Sequence, residues 1–289
     1  MSSRTTLLLT CLATACLGIE AAAQVDDEPE LIVAHQDYQP GEQLRFSTRV
    51  ELQLTTTVLL GFFAQELTYE LVEEETVLVT MAAADDEDSS SQRLSYPLAQ
   101  RTSVVPVVGE KVKNRRVSGK SYVVHRGDDG LTVTNPDGTD TREKEAREVR
   151  RSCFAVGRSP PLFAMLPVGE LKEGAVLRGA GDQAKRLLGM GLDELAADAL
   201  QLTLRSATED DELSFDATAS LSGQAQLAGR QLTLSAELAG ELVADRATGR
   251  MVRLELSGPL DVGSDGATES DKSAGTGTLS IRRMVGPPP

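Results

Sequence analysis

Few side chains in this 289-residue sequence have the chemistry to attack, to exchange protons near neutral pH or to hold a transition metal. The histidines are His35 and His125, and the cysteines are Cys11, Cys16 and Cys153. A Cys153–His125 pair is the one nucleophile–base combination on offer. Cys153 sits in SCFAVG, which carries no protease signature. Two lone histidines are more often surface residues than bases. There is no Gly-x-Ser-x-Gly, no Ser-x-x-Lys and no Gly-rich phosphate loop leading into a helix. Carboxylates are plentiful, but they cluster in runs such as Glu73-Glu74-Glu75 and Glu209-Asp210-Asp211-Glu212, which read as solvated. A glycosidase also needs a sugar platform, and the chain has no Trp. The expectation is therefore no enzyme: no catalytic residue, no cofactor and no metal. A hydrolase built on unrecognised carboxylates is the weakest alternative.

Two polar stretches bear on binding. HRGDDGLTVTNPDGTD (125–140) has Asp and Asn side chains of the kind that ligate calcium. It lacks the EF-hand order and a closing Glu, so turn chemistry is the better reading. Residues 111 to 126 hold Lys111, Lys113, Arg115, Arg116, Lys120 and Arg126 with no acid among them, in a chain of net charge −15. They suit an anionic lipid headgroup or the chain's own acidic segments. A strand face charged against edge pairing explains them as well. Overall acidity argues against nucleic acid.

The N-terminus decides compartment. Arg4 precedes an apolar stretch, Leu7 to Ile19, too short to span a bilayer. Ala21-Ala22-Ala23 then offers a small-residue cleavage site between Ala23 and Gln24. The competing start is lipidation of Cys16, where Ala13-Thr14-Ala15 stands in place of the usual Leu-led box. The expectation is an exported chain, periplasmic or extracellular, beginning at Gln24; the alternative is an envelope anchor through Cys16. No other stretch is long and apolar enough for a transmembrane span. Cleavage after Ala23 would leave Cys153 as the lone thiol, which forbids an internal disulfide.

The elements that would position any site are mostly strands. After residues 1–23 (signal) and 24–37 (an acidic lead-in), a turn at Tyr38-Gln39-Pro40-Gly41 opens a β-rich region, 38–285, with a tail at 286–289. QLRFSTRVELQL (43–54) alternates with period two, the mark of a strand with one buried face. FFAQELTYELVEEE and TVLVTMAA continue the pattern as two strands divided by acids. Further strands are expected in 103–117, 120–126 and 131–135. A helical insert, 141–200, follows. It comprises a helix in TREKEAREVRR, a short helix or tucked loop in PPLFAMLPVGEL, and one or two helices in DQAKRLLGMGLDELAADAL, interrupted at Gly189 and Gly191. Residues 200–285 return to period two as about five strands, with a hairpin at Asp245 to Gly249 and a Gly/Ser/Asp-rich loop near 263–277. Two meanders, about 38–135 and 200–285, thus flank the insert. The fold class is mainly β: a large curved antiparallel sheet or open barrel with a short helical insert.

Three motifs carry a resemblance. They are PGEQLRFSTRVEL (40–52), LPVGELKEGAVL (166–177) and GELVADRATGR (240–250). Together they resemble an uncharacterised family of exported, β-rich bacterial proteins, although Ala175 and Leu177 replace that family's usual acid and tryptophan. The resemblance implies no activity and transfers no functional residue. The layout is also similar, at the level of fold, to the open β-half-barrels of lipoprotein carriers, in which helices cover an acyl-binding concave face. Leu162, Phe163, Met165 and Leu166, followed by Leu187, Leu188 and Met190, would form such a cover. The functional expectation is a non-enzymatic protein that binds a lipid or lipoprotein in an apolar cavity. The alternative is a structural envelope protein without a small ligand. Partner classes are thus a lipid or an envelope protein; oligomeric state is not legible.

Overall fold

The structure is a computed structural model that describes residues 31–60, 63–81, 91–106, 108–127, 130–152, 160–189, 195–207, 211–227, 230–264 and 275–288. The cleavage residues Ala23 and Gln24, the alternative lipid site Cys16, Cys153 and Met190 lie outside the described residues.

Among the described residues, twelve strands form one antiparallel sheet that is not closed. Its first half contains β2 (Gln43–Leu60), β3 (Phe63–Met81), β4 (Ser91–Val105), β5 (Gly109–Asn114), β6 (Ser121–Gly127) and β7 (Gly130–Thr134). The second contains β9 (Val176–Gly179), β10 (Leu195–Ala207), β11 (Glu212–Leu227), β12 (Arg230–Asp245), β13 (Met251–Ser264) and β14 (Gly275–Gly286). The spatial order is β7-β6-β4-β3-β2-β14-β13-β12-β11-β10-β9, with β5 alongside the second part of β4. Pairing of β14 with β2 sets the last strand beside the first long one. A separate two-stranded sheet joins β1 (Leu31–Val33) to β8 (Gly169–Leu171).

One face of the sheet is apolar, as period-two alternation requires. Its second half packs on Leu162, Met165 and Leu166, around a 3-10 turn at Pro161–Ala164, and on Leu187 and Leu188 of α2 (Asp182–Leu188). Its first half packs on Ala146 and Val149 of α1 (Glu143–Ser152). The insert therefore lies on the apolar face, and Leu162, Leu187 and Leu188 are wholly buried there. Phe163 departs from that pattern. It is half-buried and stacks on His35 with ring centroids 4.0 Å apart, so it joins the insert to the N-terminal segment and not to the sheet.

Curvature comes from glycine. Gly240, Gly258 and Gly277 fall at core-side positions of the strand alternation, and a Cβ on any of them would stand 2.0 Å from a carbonyl oxygen of the neighbouring strand. In register, Gly240 opposes Leu256, Gly258 opposes Leu279, and Gly277 opposes Leu54. The glycines thus step two residues per strand along a diagonal, and the sheet folds inward along it.

Three local expectations are corrected. The acid run Glu73-Glu74-Glu75 does not divide two strands; it lies inside the single 19-residue β3. Glu73 and Glu75 point inward and are held by Arg101 and by Arg115 at 2.5 Å. SQRLSYPLAQRT, outside the strands expected from the sequence, is the body of β4; Pro97 falls at a register shift opposite Thr76 and Leu78, where a proline needs no partner. Of the helices expected in 182–200, α2 stops at Gly189, whose φ of +61° makes the left-handed cap. The following LAADAL is strand, because β11, joined by β9 at Leu200, offers its backbone partners that outweigh helix propensity. In PPLFAMLPVGEL the turn at Pro161 gives way to β8.

Candidate functional site

The three motif segments meet at one end of the molecule. The turn between β12 and β13 is tied by Asp245, whose Oδ1 accepts the Thr248 N–H at 2.7 Å and its hydroxyl at 2.6 Å. Gly249 takes φ +68° and has Ala34 O and Phe163 against it, so no side chain fits. The turn presents Arg250, which donates from Nε to Gln36 O at 2.8 Å and from Nη2 to Asp37 O at 2.5 Å. Arg250 also pairs with Glu42 at 2.5 Å and lies over the Tyr38 ring, 4.6 Å from its centroid. Glu42 belongs to the Pro-Gly-Glu motif, and β8, from the central motif, pairs with β1 immediately before this strap. The motifs clasp residues 31–42 across the end of the sheet, a structural task.

Beneath the clasp lies Arg283 of β14, fully buried. Its Nη1 donates to the carbonyls of Arg186 and Leu187 at 2.6 and 2.9 Å, where α2 ends and carbonyls lack helical partners. Phe46 lies 5.7 Å from the guanidinium carbon. Burial lowers the Arg283 pKa to about 10. Tyr38 beside it is pushed up to about 12, chiefly by burial, with Arg283 and Arg250 pulling the other way. Sequence reasoning missed both arginines. A signal existed: Leu279, Ile281, Arg283 and Val285 alternate, so period two already puts Arg283 on the core side.

Tyr38 yields a pH prediction. Below pH 10 folded and unfolded chains both keep the phenol proton, and its contribution is complete. Between pH 10 and about 12 the unfolded chain releases it first, so stability falls by about 1.4 kcal/mol per pH unit. Arg283, depressed in the folded state chiefly by burial, adds stability over that window, and the variant removes the Tyr38 charge that raises its pKa, so that gain is not reduced. In Tyr38→Phe the slope of unfolding free energy against pH should therefore be less negative by about that amount. Equal slopes in urea titrations would refute the assignment.

The basic stretch 111–126 is divided by the fold. Arg115 and Arg116 lie within 3.8 Å of Glu148 on α1, and Lys120 pairs with Glu145 at 2.9 Å. Lys111 and Lys113 project from β5, all six residues of which are exposed. Register puts them on the inner face. Leu52 opposes Leu71, Leu71 opposes Ser103, and Ser103 opposes Lys111. One step along, Val50, Glu73, Arg101 and Lys113 form the parallel row. On β2 and β3 the inner side chains Leu52, Leu67, Tyr69 and Leu71 are only half-buried, although Leu52, Tyr69 and Leu71 pack against the core. The result is an apolar strip on the concave face running towards a cationic strand.

The outer face carries a groove of about 700 Å³ floored by Ala239, Ser257 and Ser280. Its walls hold three arginines, Arg49, Arg205 and Arg282, and three glutamates, Glu51, Glu241 and Glu255. Arg49 and Arg282 stand opposite each other across β2 and β14, and each is neutralised by its own glutamate. The groove favours neither sign of charge.

His35 and His125 are not brought together. His35 stacks in the clasp, and His125 is exposed on β6 opposite Thr132. In 125–140, Asp137 Oδ1 accepts the Thr139 N–H at 3.0 Å and its hydroxyl at 2.7 Å. The side-chain bond from Thr139 leads the causes that hold the Asp137 carboxyl below its ordinary range, so this oxygen serves the turn. No group of three metal-ligating side chains occurs among the described residues. No described helix is long and apolar enough to cross a membrane.

No family model and no curated protein matches the chain. Among solved structures it is similar to lipovitellin, in a study of lipid–protein interactions, with TM-score 0.42 and 7% identity over 88% of this chain. The chain spans about a quarter (26%) of that lipovitellin chain. It is also similar to DynF from the dynemicin biosynthesis pathway of Micromonospora chersina, with TM-score 0.24 and 9% identity over 91% of this chain and 90% of that one. At such scores the likeness carries no argument about function, which rests on the residues described above.

Proposed function

We propose that this chain is an exported, non-enzymatic binding protein that takes an acyl chain along the strip Leu52, Leu67, Tyr69 and Leu71. One observation carries the reading: these side chains share the core face of β2 and β3 and remain half-buried, whereas Val50, Leu54, Val77 and Val79 of the same face are buried. Apolar surface continuous with a core and left in contact with water gains about 25 cal/mol for each Å² a ligand covers. Export rests on the composition of residues 1–23, with Gln24 as the first mature residue. An intact mass carrying diacylglycerol on Cys16 would replace it with the anchored form.

A neutral fluorescent dodecyl probe tests the binding. Saturable one-to-one uptake should weaken at least roughly tenfold in Leu71→Gln, which loses apolar contact and sets an amide against the chain. Circular dichroism would verify that the variant keeps its strands. No saturable uptake by wild type would overturn the reading. The alternative, an envelope scaffold without a small ligand, is favoured by one observation: Leu162, Leu166, Leu187 and Leu188 fill the second half of the concave face as solid core.

A further inference from the structure

We infer that the ligand of the concave strip is an anionic amphiphile, with its carboxylate or phosphate head held by Lys111 and Lys113 of β5. This rests on the acyl-binding reading and adds the chemistry of the head. The argument is one of register. Residues directly opposite in an antiparallel pair project from the same face, so Leu52, Leu71, Ser103 and Lys111 form a row across four strands of the inner face. Strands lie about 4.8 Å apart, so Lys111 stands about 10 Å from Leu71 before the reach of its own side chain. A twelve-carbon chain of about 15 Å covers that row from end to end. Its polarity rises in order: two leucines, a hydroxyl, an ammonium.

The other charges on this face leave these two lysines to act. Glu73, the inward acid nearest the strip, is buried and held by Arg101, while Arg115 holds Glu75 at 2.5 Å and faces Glu148. Arg116 and Lys120 are turned to the acids of α1. Lys111 and Lys113 are thus the cations of 111–126 that are exposed, inward by register and in line with apolar side chains. A charged head at the exposed end of the row keeps its water while the tail leaves it.

Displacement of the neutral dodecyl probe from the full chain would compare dodecanoate, dodecyl phosphate and dodecanol below their aggregation limits. The two anions should bind at least roughly tenfold more tightly than the alcohol at low salt, and the advantage should shrink as ionic strength rises. Lys111→Glu with Lys113→Glu should abolish that preference while leaving dodecanol affinity unchanged. Lys111→Arg with Lys113→Arg should preserve it. Equal affinities for anion and alcohol in wild type would overturn the head assignment and leave acyl binding intact. Failure of all three ligands to displace a bound probe, or absence of probe binding, would remove the acyl reading itself. Sedimentation with phosphatidylglycerol vesicles without binding of free dodecanoate would also overturn the proposal, and would assign the lysines to a membrane surface.

Discussion

Replacing Arg283 with alanine should lower the unfolding free energy by about 3–5 kcal/mol. The side chain is fully buried, and it donates to two carbonyls at the end of α2. Alanine would leave both carbonyls facing a void where the guanidinium stood. Arg283→Met separates the two losses. It keeps most of the volume and removes the donors, so it should cost less than alanine, about 2 kcal/mol for the carbonyls alone. A buried ion is not itself a stabilising feature, because desolvation works against it. That penalty shows here as the lowered pKa. What makes Arg283 costly to remove is that α2 is built around it. Gly189 is packed so closely that a Cβ would stand 2.4 Å from Nη1. Urea unfolding at pH 7 reads the result. A loss under about 1 kcal/mol for Arg283→Ala would mean that the end of α2 re-forms its bonds with water and is not held from the sheet.

Gly258→Ala should cost about 2–3 kcal/mol, whereas Gly263→Ala on the same strand should cost nothing and gain up to about 1 kcal/mol. Adding a methyl to glycine ordinarily stabilises by restricting the unfolded chain. At Gly263 nothing lies within 4 Å of the new carbon, and that gain is realised. At Gly258 the methyl would meet Glu237 O at 2.0 Å and the carbonyl carbon at 3.0 Å, both backbone atoms that move only if the strands separate. The comparison isolates sheet curvature from glycine content, since both residues belong to β13. Similar unfolding midpoints for the two variants would show that the diagonal of Gly240, Gly258 and Gly277 is not what bends the sheet.

Much of this architecture was legible in local pattern. Alternation in 43–54 and from Leu200 onwards announces strands with one wet face, since side-chain period depends on the strand alone. Asp245-x-x-Thr-Gly announces its turn, because the Asp oxygen and the left-handed glycine act within the same few residues. α1 forms where its composition favours helix. The same locality explains the errors. LAADAL satisfies helix propensity and becomes strand because partners distant in sequence, such as Leu221 and Gly223, bind its backbone. Glu73 and Glu75 look like loop residues until Arg101 on β4 and Arg115, just after β5, neutralise them.

The sequence by itself determined the class of fold, the turn chemistry, the scarcity of reactive side chains and the pool of cations at 111–126. Only the tertiary structure decided which strand lies beside which. That decision sets β14 against β2, buries Arg283 under α2, and brings the Pro-Gly-Glu and Thr-Gly-Arg motifs into one ion pair between Glu42 and Arg250. It also sorts the cations, spending three on carboxylates of β3 and α1 and aligning Lys111 and Lys113 with Leu52 and Leu71. The physical reason is that alternation specifies the face of a strand, a property of its own backbone, whereas neighbours and register follow from burial summed over the whole sheet.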